Sequence, residues 1–427
     1  MEGSLRKSIS VWEGIALYVG AVIGSGILIL PGVTAGIAGA HALFSWGGMI
    51  LLSIPLAYTF AFLAKEYPSA GGVSTFVDKA FGRYAGALVG WFYFIAASAG
   101  QFIVPLTGGV YVTYVFHLPN VVAFLIAAIL LIGGVISNYL GLQTSGKVQL
   151  VTSGMILVVL LSTILFAIPS IHVENLVSPF SASSLGPIGK AAMLIFWSFF
   201  GWEAISSLAP EFHRPERDIM RSTWGAIVIV GVLYFGISLA VIGTHSYSTG
   251  QNVLDQAMNN ASLAQVMTNT VGVNGAVVTA IVALIICLGT TNAFVASISR
   301  LAYSLAHEKL APSWLDHIHA GRATPQRAVL LAGGLAGIGL LTTYVFNLSM
   351  TELVLVPNSL GIATYILGTA AGVKLLKSRI GKIASGAACL LCLSAYPFVG
   401  TAIWIPITVG VGCILYVAWR QREEPGC

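Results

Sequence analysis

Of the 427 residues, 20 are Lys or Arg and 15 are Asp or Glu, 8% of the chain, against roughly 25% in soluble globular proteins. Hydrophobic residues make up 57% and the mean hydropathy is +0.89, so a soluble enzyme of this size is excluded: it would have no polar surface to present to water. The formal charge of +5 carries meaning only through where the charges fall, and the five cysteines do not suggest a disulfide framework.

A membrane-spanning helix needs about 20 apolar residues. In chain order, apolar runs separated by turn or charged residues predict spans over 12–36, 42–64, 84–115, 120–138, 148–168, 190–210, 222–243, 271–296, 326–346, 351–373, 380–398 and 401–419. The expected fold class is therefore an all-α integral membrane protein with about 12 transmembrane helices. A β-barrel is disfavoured, because the runs lack period-2 alternation. Arg6 and Lys7 before the first run resemble the start of a signal peptide, but the run continues past about 20 residues and reads as a retained span. Glycine, at 48 residues, suits close helix packing in lipid.

Charge placement tests this layout. With a cytoplasmic N-terminus, 19 of the 20 basic residues fall inside, and only Lys190 falls outside. The 244–270 connection contains no Lys or Arg, as an external loop should. These basic clusters are topology signals, and no nucleic-acid partner is expected. The longest non-membrane segments, 65–83, 169–189, 211–221, 244–270 and 297–325, are too short for an enzyme domain. The last is expected to hold a short helix along the cytoplasmic face.

Two spans carry interruptions. The first reads Val22-Ile23-Gly24-Ser25-Gly26-Ile27 at mid-span. Each glycine weakens a helix by about 1 kcal/mol relative to alanine, and freed backbone groups are tolerated in a membrane only where they line a cavity. Amides exposed at the start of a second half-helix form a natural carboxylate site. The plainer alternative is a small-residue packing face. The sixth span reads Phe196-Trp197-Ser198-Phe199-Phe200-Gly201-Trp202-Glu203, again with a mid-span glycine. Interruptions at matching positions of two five-helix halves point to a transporter binding site, with the second half inverted in the membrane.

These residues resemble the amino acid–polyamine–organocation superfamily over nearly the whole chain. The Val22–Ile27 run is similar to its first-helix signature. Tyr67-Pro68-Ser69-Ala70-Gly71-Gly72 with Phe81-Gly82 is similar to its loop between helices two and three. Phe196–Glu203, trailed by Pro215-Glu216-Arg217-Asp218, is similar to its sixth-helix signature. In detail the chain looks closest to bacterial members that export methionine and branched-chain amino acids. The resemblance implies a five-plus-five inverted-repeat core with broken first and sixth helices plus two additional helices: repeats over 1–170 and 171–373, and a peripheral pair over 374–427.

It also implies an amino acid held at the two breaks. The substrate carboxylate would meet amides at Ser25 and Gly26, helped by Ser25 Oγ. The ammonium would meet carbonyls near Val22, Trp197 and Phe200, beside Gly201. Trp197 and Phe294 would cover the side chain, with Asn292 adjacent, and Tyr93 and Gln101 on the third helix would be similarly placed. Some members carry a lysine within the fifth helix that is linked to ion or proton coupling. Here Met155 and Ile156 occupy that region and the only nearby lysine is Lys147 at its edge, so neither sodium nor a lysine switch is assigned.

Glu203 is the sharpest single residue. A charged carboxyl near mid-bilayer costs about 2.5–3.5 kcal/mol, so it is a candidate for gating or for coupling to protons; a structural acid bonded to the broken backbone is the alternative. Glu13 reads as a helix-start acid or a gate salt bridge rather than a substrate ligand, and Glu352 as a helix-start acid. Cys389 and Cys392 have redox-like spacing but read as small packing residues, and His213, His307, His317 and His319 read as surface histidines. No cofactor or metal is implied.

The expected function is secondary active transport of neutral amino acids, such as methionine, leucine, isoleucine or valine, across the cytoplasmic membrane by alternating access. Both termini would be cytoplasmic, and efflux follows from the subfamily resemblance. Beyond Glu203 the expected core offers no acid or base to pair with a charged side chain. The alternatives are an uptake permease or exchanger of the same fold, and a non-transporting amino-acid sensor; short tails disfavour the sensor. A channel would need a ring of charges, and a membrane enzyme would need clustered catalytic groups.

Overall fold

A computed structural model describes residues 9–67, 72–141, 146–204, 209, 212–250, 252–319, 322 and 324–423. Arg6, Lys7 and positions 68–71 of the loop signature lie outside the described residues. The first half comprises α1 (Val11–Val22), α2 (Gly26–Ala38), α3 (Ala42–Glu66), α4 (Gly72–Phe81), α5 (Arg83–Val115), α6 (Asn120–Tyr139) and α7 (Gly146–Ala167). The second comprises α8 (Leu185–Ile195), α9 (Pro215–Gly243), α10 (Val253–Asn260), α11 (Ser262–Val271), α12 (Val273–His307), α13 (Gln326–Phe346), α14 (Met350–Leu375), α15 (Arg379–Ala395) and α16 (Trp404–Glu423). Two isolated β-bridges are the only extended pairing among the described residues.

Among the described residues, eight stretches are long and apolar enough to cross a membrane. Two of them, Gly26–Glu66 and Arg379–Trp419, are 41 residues each, and both are interrupted at a glycine in the left-handed region, Gly39 (φ +56°) and Gly400 (φ +62°). Val11–Val22 and Gly154–Ser170 are shorter apolar helices. Polypeptide of this kind is confined to helix because lipid offers no partner to a free N–H or C=O.

Helix starts follow local chemistry. Ser10 caps α1 and Ser349 caps α14, each in a reciprocal pair with the acid three residues on, Glu13 and Glu352. Those two acids are therefore capping residues, as their positions suggested. Three expectations change. The eighth run does not stop at 296: α12 continues to His307, because 297–307 contains no Gly or Pro to end it. The short cytoplasmic helix expected within 297–325 reduces to a 3-10 turn at Ser313–Leu315. The 244–270 connection is not a plain loop but folds into α10 and α11.

The core is stitched by glycine contacts. On α5, a Cβ at Gly109 would lie 2.8 Å from Cα of Ala123 on α6, and one at Gly108 would lie 3.0 Å from Cβ of Cys287 on α12. The neighbour at Gly109 is backbone and cannot yield. Gly133 on α6, by contrast, faces open space. Gly109→Ala should therefore push α5 off α6 and lower stability by about 1–3 kcal/mol, whereas Gly133→Ala should be neutral or stabilise by up to about 1 kcal/mol. Melting temperatures in detergent measure both.

Candidate functional site

The first interruption is real. Ile23 N still donates to Val19 O at 2.8 Å and closes α1, but Ile23 itself adopts ψ +88° and the helix stops. After Gly24, α2 restarts with Ser25 as its N-cap, and the Ser25 side chain makes no capping bond. Leu28 N turns back to Ser25 O at 3.1 Å, which leaves the Gly26 and Ile27 amides at the start of α2 without an intrahelical acceptor, at the positive end of the helix dipole. Residues 26–35 of α2 are all buried.

The second interruption is longer. α8 tightens into a 3-10 turn at Phe196–Phe199. Phe200 is extended (φ −69°, ψ +140°), and Gly201 lies at φ +122°. A Cβ on Gly201 would sit 2.7 Å from Ala21 O, so only glycine suits both this conformation and this close approach. A methyl on Gly26 would likewise overlap Ser198 Oγ. The two breaks face each other.

Three side chains from elsewhere hold these backbones. Tyr234, buried on α9, places its hydroxyl 2.9 Å from Val22 O and 2.8 Å from Ser198 O, one carbonyl from each break. Asn358 on α14 donates from Nδ2 to Met193 O at 2.8 Å and Leu194 O at 3.2 Å, the last carbonyls of α8. Tyr365, two turns further along α14, donates to Glu203 Oε2. Between them Gly361 leaves room for the Phe200 ring, which any Cβ would strike.

Glu203 sits 6% exposed in a ring of donors. Gly201 N donates to Oε2 at 3.0 Å, Tyr93 OH to Oε1 at 3.0 Å, and Tyr365 OH joins at Oε2. The carboxylate therefore folds back onto its own broken helix and ties it to α5 and α14.

A cavity of about 140 Å³ lies between the breaks. Of the residues singled out in the sequence, Val22, Ser25, Gly26, Tyr93, Trp197, Phe200, Gly201, Glu203 and Phe294 line it. The Trp197 and Phe294 rings are parallel within 8°, with centroids 6.5 Å apart. Two expected residues do not line it. Asn292 turns to α6, where Asn138 Nδ2 donates to its Oδ1 at 2.9 Å. Gln101 is fully buried in α5, and neither end of its amide finds a partner among the described residues. Ser198, Thr290, Gly361, Thr364 and Tyr365 also line the cavity and escaped sequence reasoning, as did Tyr234 behind it. Only Ser198, next to Trp197 in the signature, carried a local signal; the others reach the breaks from distant helices. A larger groove of about 640 Å³ between α6 and α13 is almost entirely apolar and offers no chemistry.

The amino acid permease profile matches residues 9–419, and the chain belongs to that family, within the superfamily its motifs resembled. It is a multi-pass membrane protein of a transporter family, not an enzyme. It is 35% identical over 421 residues to the uncharacterized amino acid permease YecA of Bacillus subtilis (strain 168), covering 98% of this chain and 97% of that one. It is 27% identical to the L-methionine/branched-chain amino acid exporter YjeH of Escherichia coli (strain K12), covering 99% of both chains. It is also 27% identical to the serine/threonine exchanger SteT of Bacillus subtilis (strain 168), over 82% of this chain and 80% of that one.

Tyr234→Phe keeps the ring packed on Phe199 (5.2 Å) and Trp46 (5.6 Å) but removes the donor shared by two buried carbonyls. The expected result is a loss of about 1–3 kcal/mol in substrate binding with the fold retained. Titration of labelled amino acid against purified protein, beside a melting curve, checks it.

Proposed function

We propose that this protein is a secondary active transporter that moves neutral amino acids out of the cytoplasm by alternating access. The observation that carries this reading is the pair of opposed helix breaks, with free first-turn amides on one side, carbonyls on the other and stacked aromatic rings over a shared cavity. The substrate carboxylate binds the first-turn amides of α2 with Ser25 Oγ, where the helix dipole favours negative charge. The ammonium binds carbonyls near Val22, Trp197 and Phe200. Trp197, Phe200 and Phe294 enclose the side chain. Glu203 acts as the latch of a gate, because its bonds to Tyr93 and Tyr365 tie the sixth-span break to α5 and α14.

The architecture of this reading is twelve spans in the cytoplasmic membrane with both termini inside. Residues 1–170 and 171–373 form two inverted five-helix repeats, and 374–427 form a peripheral pair. The distribution of basic residues supports the orientation. Export of methionine and branched-chain amino acids is what the name of YjeH describes, a relative matched over nearly its full length. Exchange is the second reading, favoured by the serine/threonine exchanger among the relatives.

Counterflow of a labelled amino-acid panel in proteoliposomes tests both. Neutral amino acids should exchange, while arginine and glutamate should not; an inert wild type rejects the reading. Gly26→Ala should abolish counterflow, because the added methyl enters the space between Ser25 and Ser198. Trp197→Ala should weaken large apolar substrates more than alanine. Glu203→Gln places an amide N–H₂ against donors and should slow turnover with little change in affinity. Flux driven by a pH gradient in the wild type and lost in this variant would instead make Glu203 a proton carrier.

A further inference from the structure

Ten of the eleven buried threonines among the described residues share one arrangement. Each hydroxyl donates to a carbonyl three or four residues back in its own helix, at 2.6–3.1 Å. In an apolar interior this is the default, since a buried hydroxyl needs a partner and the helix offers one. Thr364 on α14 is the exception. It is 1% exposed, its Oγ1 has no partner, and it lines the cavity between the breaks. The carbonyls of Leu360 and Gly361 stand at the same offsets, yet its hydroxyl is not bonded to them.

Two other buried hydroxyls that line the cavity lack partners, Ser25 Oγ and Ser198 Oγ. Both belong to one pole: Ser25 caps α2, and Ser198 Oγ abuts the adjacent Gly26. On the reading proposed above, that pole takes the substrate carboxylate, which accepts from both hydroxyls and the amides. Thr364 arises from a different helix, next to Tyr365 and one turn past the glycine that receives Phe200. Elsewhere the lining is mostly aromatic, alanine or glycine, with Trp197, Phe200, Phe294, Ala96 and Ala97 among it; its other polar groups are Thr290 and the Tyr93, Glu203 and Tyr365 cluster, whose members bond one another. An apolar side chain would leave Thr364 orphaned; a hydroxyl would pair with it.

We propose that Thr364 reads the substrate side chain, and that among neutral amino acids the pocket prefers those bearing an aliphatic hydroxyl, serine and threonine. This inference rests on the placement of the carboxylate at Ser25 and Gly26. Threonine and valine are near-isosteres that differ by a hydroxyl for a methyl, and so are the two residues at position 364 in the test. Competition of threonine and of valine against labelled serine is measured in proteoliposomes of wild type and Thr364→Val. The wild type should favour threonine over valine by at least about tenfold, the scale of one neutral hydrogen bond. In Thr364→Val the preference should vanish, through loss of threonine affinity with valine affinity kept or raised. Thr364→Ser, which keeps the hydroxyl, should retain the preference, and Thr364→Ala should lose it should the valine variant fail to fold. An unchanged threonine-to-valine ratio in the variants, or equal loss for both substrates, overturns the assignment. A wild type that exchanges methionine and leucine but discriminates against threonine overturns it while leaving the transport reading intact. A wild type that exchanges no neutral amino acid overturns both.

Discussion

Everything in this structure answers to one constraint: a peptide group released from a helix inside a membrane must find another partner. Two helices are interrupted here, and each interruption frees carbonyls on one side and amides on the other. The protein supplies partners for the carbonyls from within. Tyr234 reaches Val22 O and Ser198 O, and Asn358 reaches Met193 O and Leu194 O. It withholds them from the amides at the start of α2, and from the hydroxyls of Ser25, Ser198 and Thr364. Satisfaction is thus asymmetric. The pole at the start of α2 is therefore donor-rich and suits an acceptor such as a carboxylate, while the break carbonyls, each with two lone pairs, can still accept from a cation.

The same accounting clarifies Glu203. As an isolated acid in an apolar span it looked like a charge in need of a task. In place, both of its oxygens accept bonds, from a backbone amide of its own break and from two phenols. Such a carboxylate is a connector. It closes the ring between the sixth-span break, α5 and α14, and its burial is tolerated because every contact is a donor.

How much of this could be read in advance depended on sequence distance. The breaks were legible because Gly24, Ser25, Gly26 and Gly201 interrupt otherwise apolar runs, and helix propensity is a local quantity. The aromatic cover was legible through Trp197 in the same signature. Tyr234, Asn358, Gly361 and Tyr365 were not, since each sits in an unremarkable apolar run and acquires its meaning from a backbone atom far away in sequence. Asn292 and Gln101 show the converse error. Being one or a few residues from a lining position on a helix says little about facing the cavity, because adjacent residues point about 100° apart. The continuation of α12 to His307 was missed for another reason: composition marks where lipid ends, and a helix does not have to stop there.

The bonds also divide the molecule into parts that travel together. α1 is tied to α9 along its whole length: His213 N donates to Ile9 O at 3.0 Å, Ser222 Oγ to Val11 O at 3.0 Å, the Tyr18 and Thr223 hydroxyls meet at 2.8 Å, and Tyr234 reaches Val22 O. Three attachments between the helices and one between the segments that lead into them make independent swinging of α1 expensive, since several buried polar groups would be stranded at once. The sixth-span break is held differently. Tyr93 on α5 reaches it through a single bond to Glu203 Oε1, so drawing α5 away costs that bond and leaves those of Gly201 N and Tyr365 to Oε2 in place. On the alternating-access reading proposed above, motion that opens the cavity is cheapest when α1 and α9 move as a unit and the Glu203–Tyr93 bond is the one released, which would make the carboxylate the seam along which the fold parts.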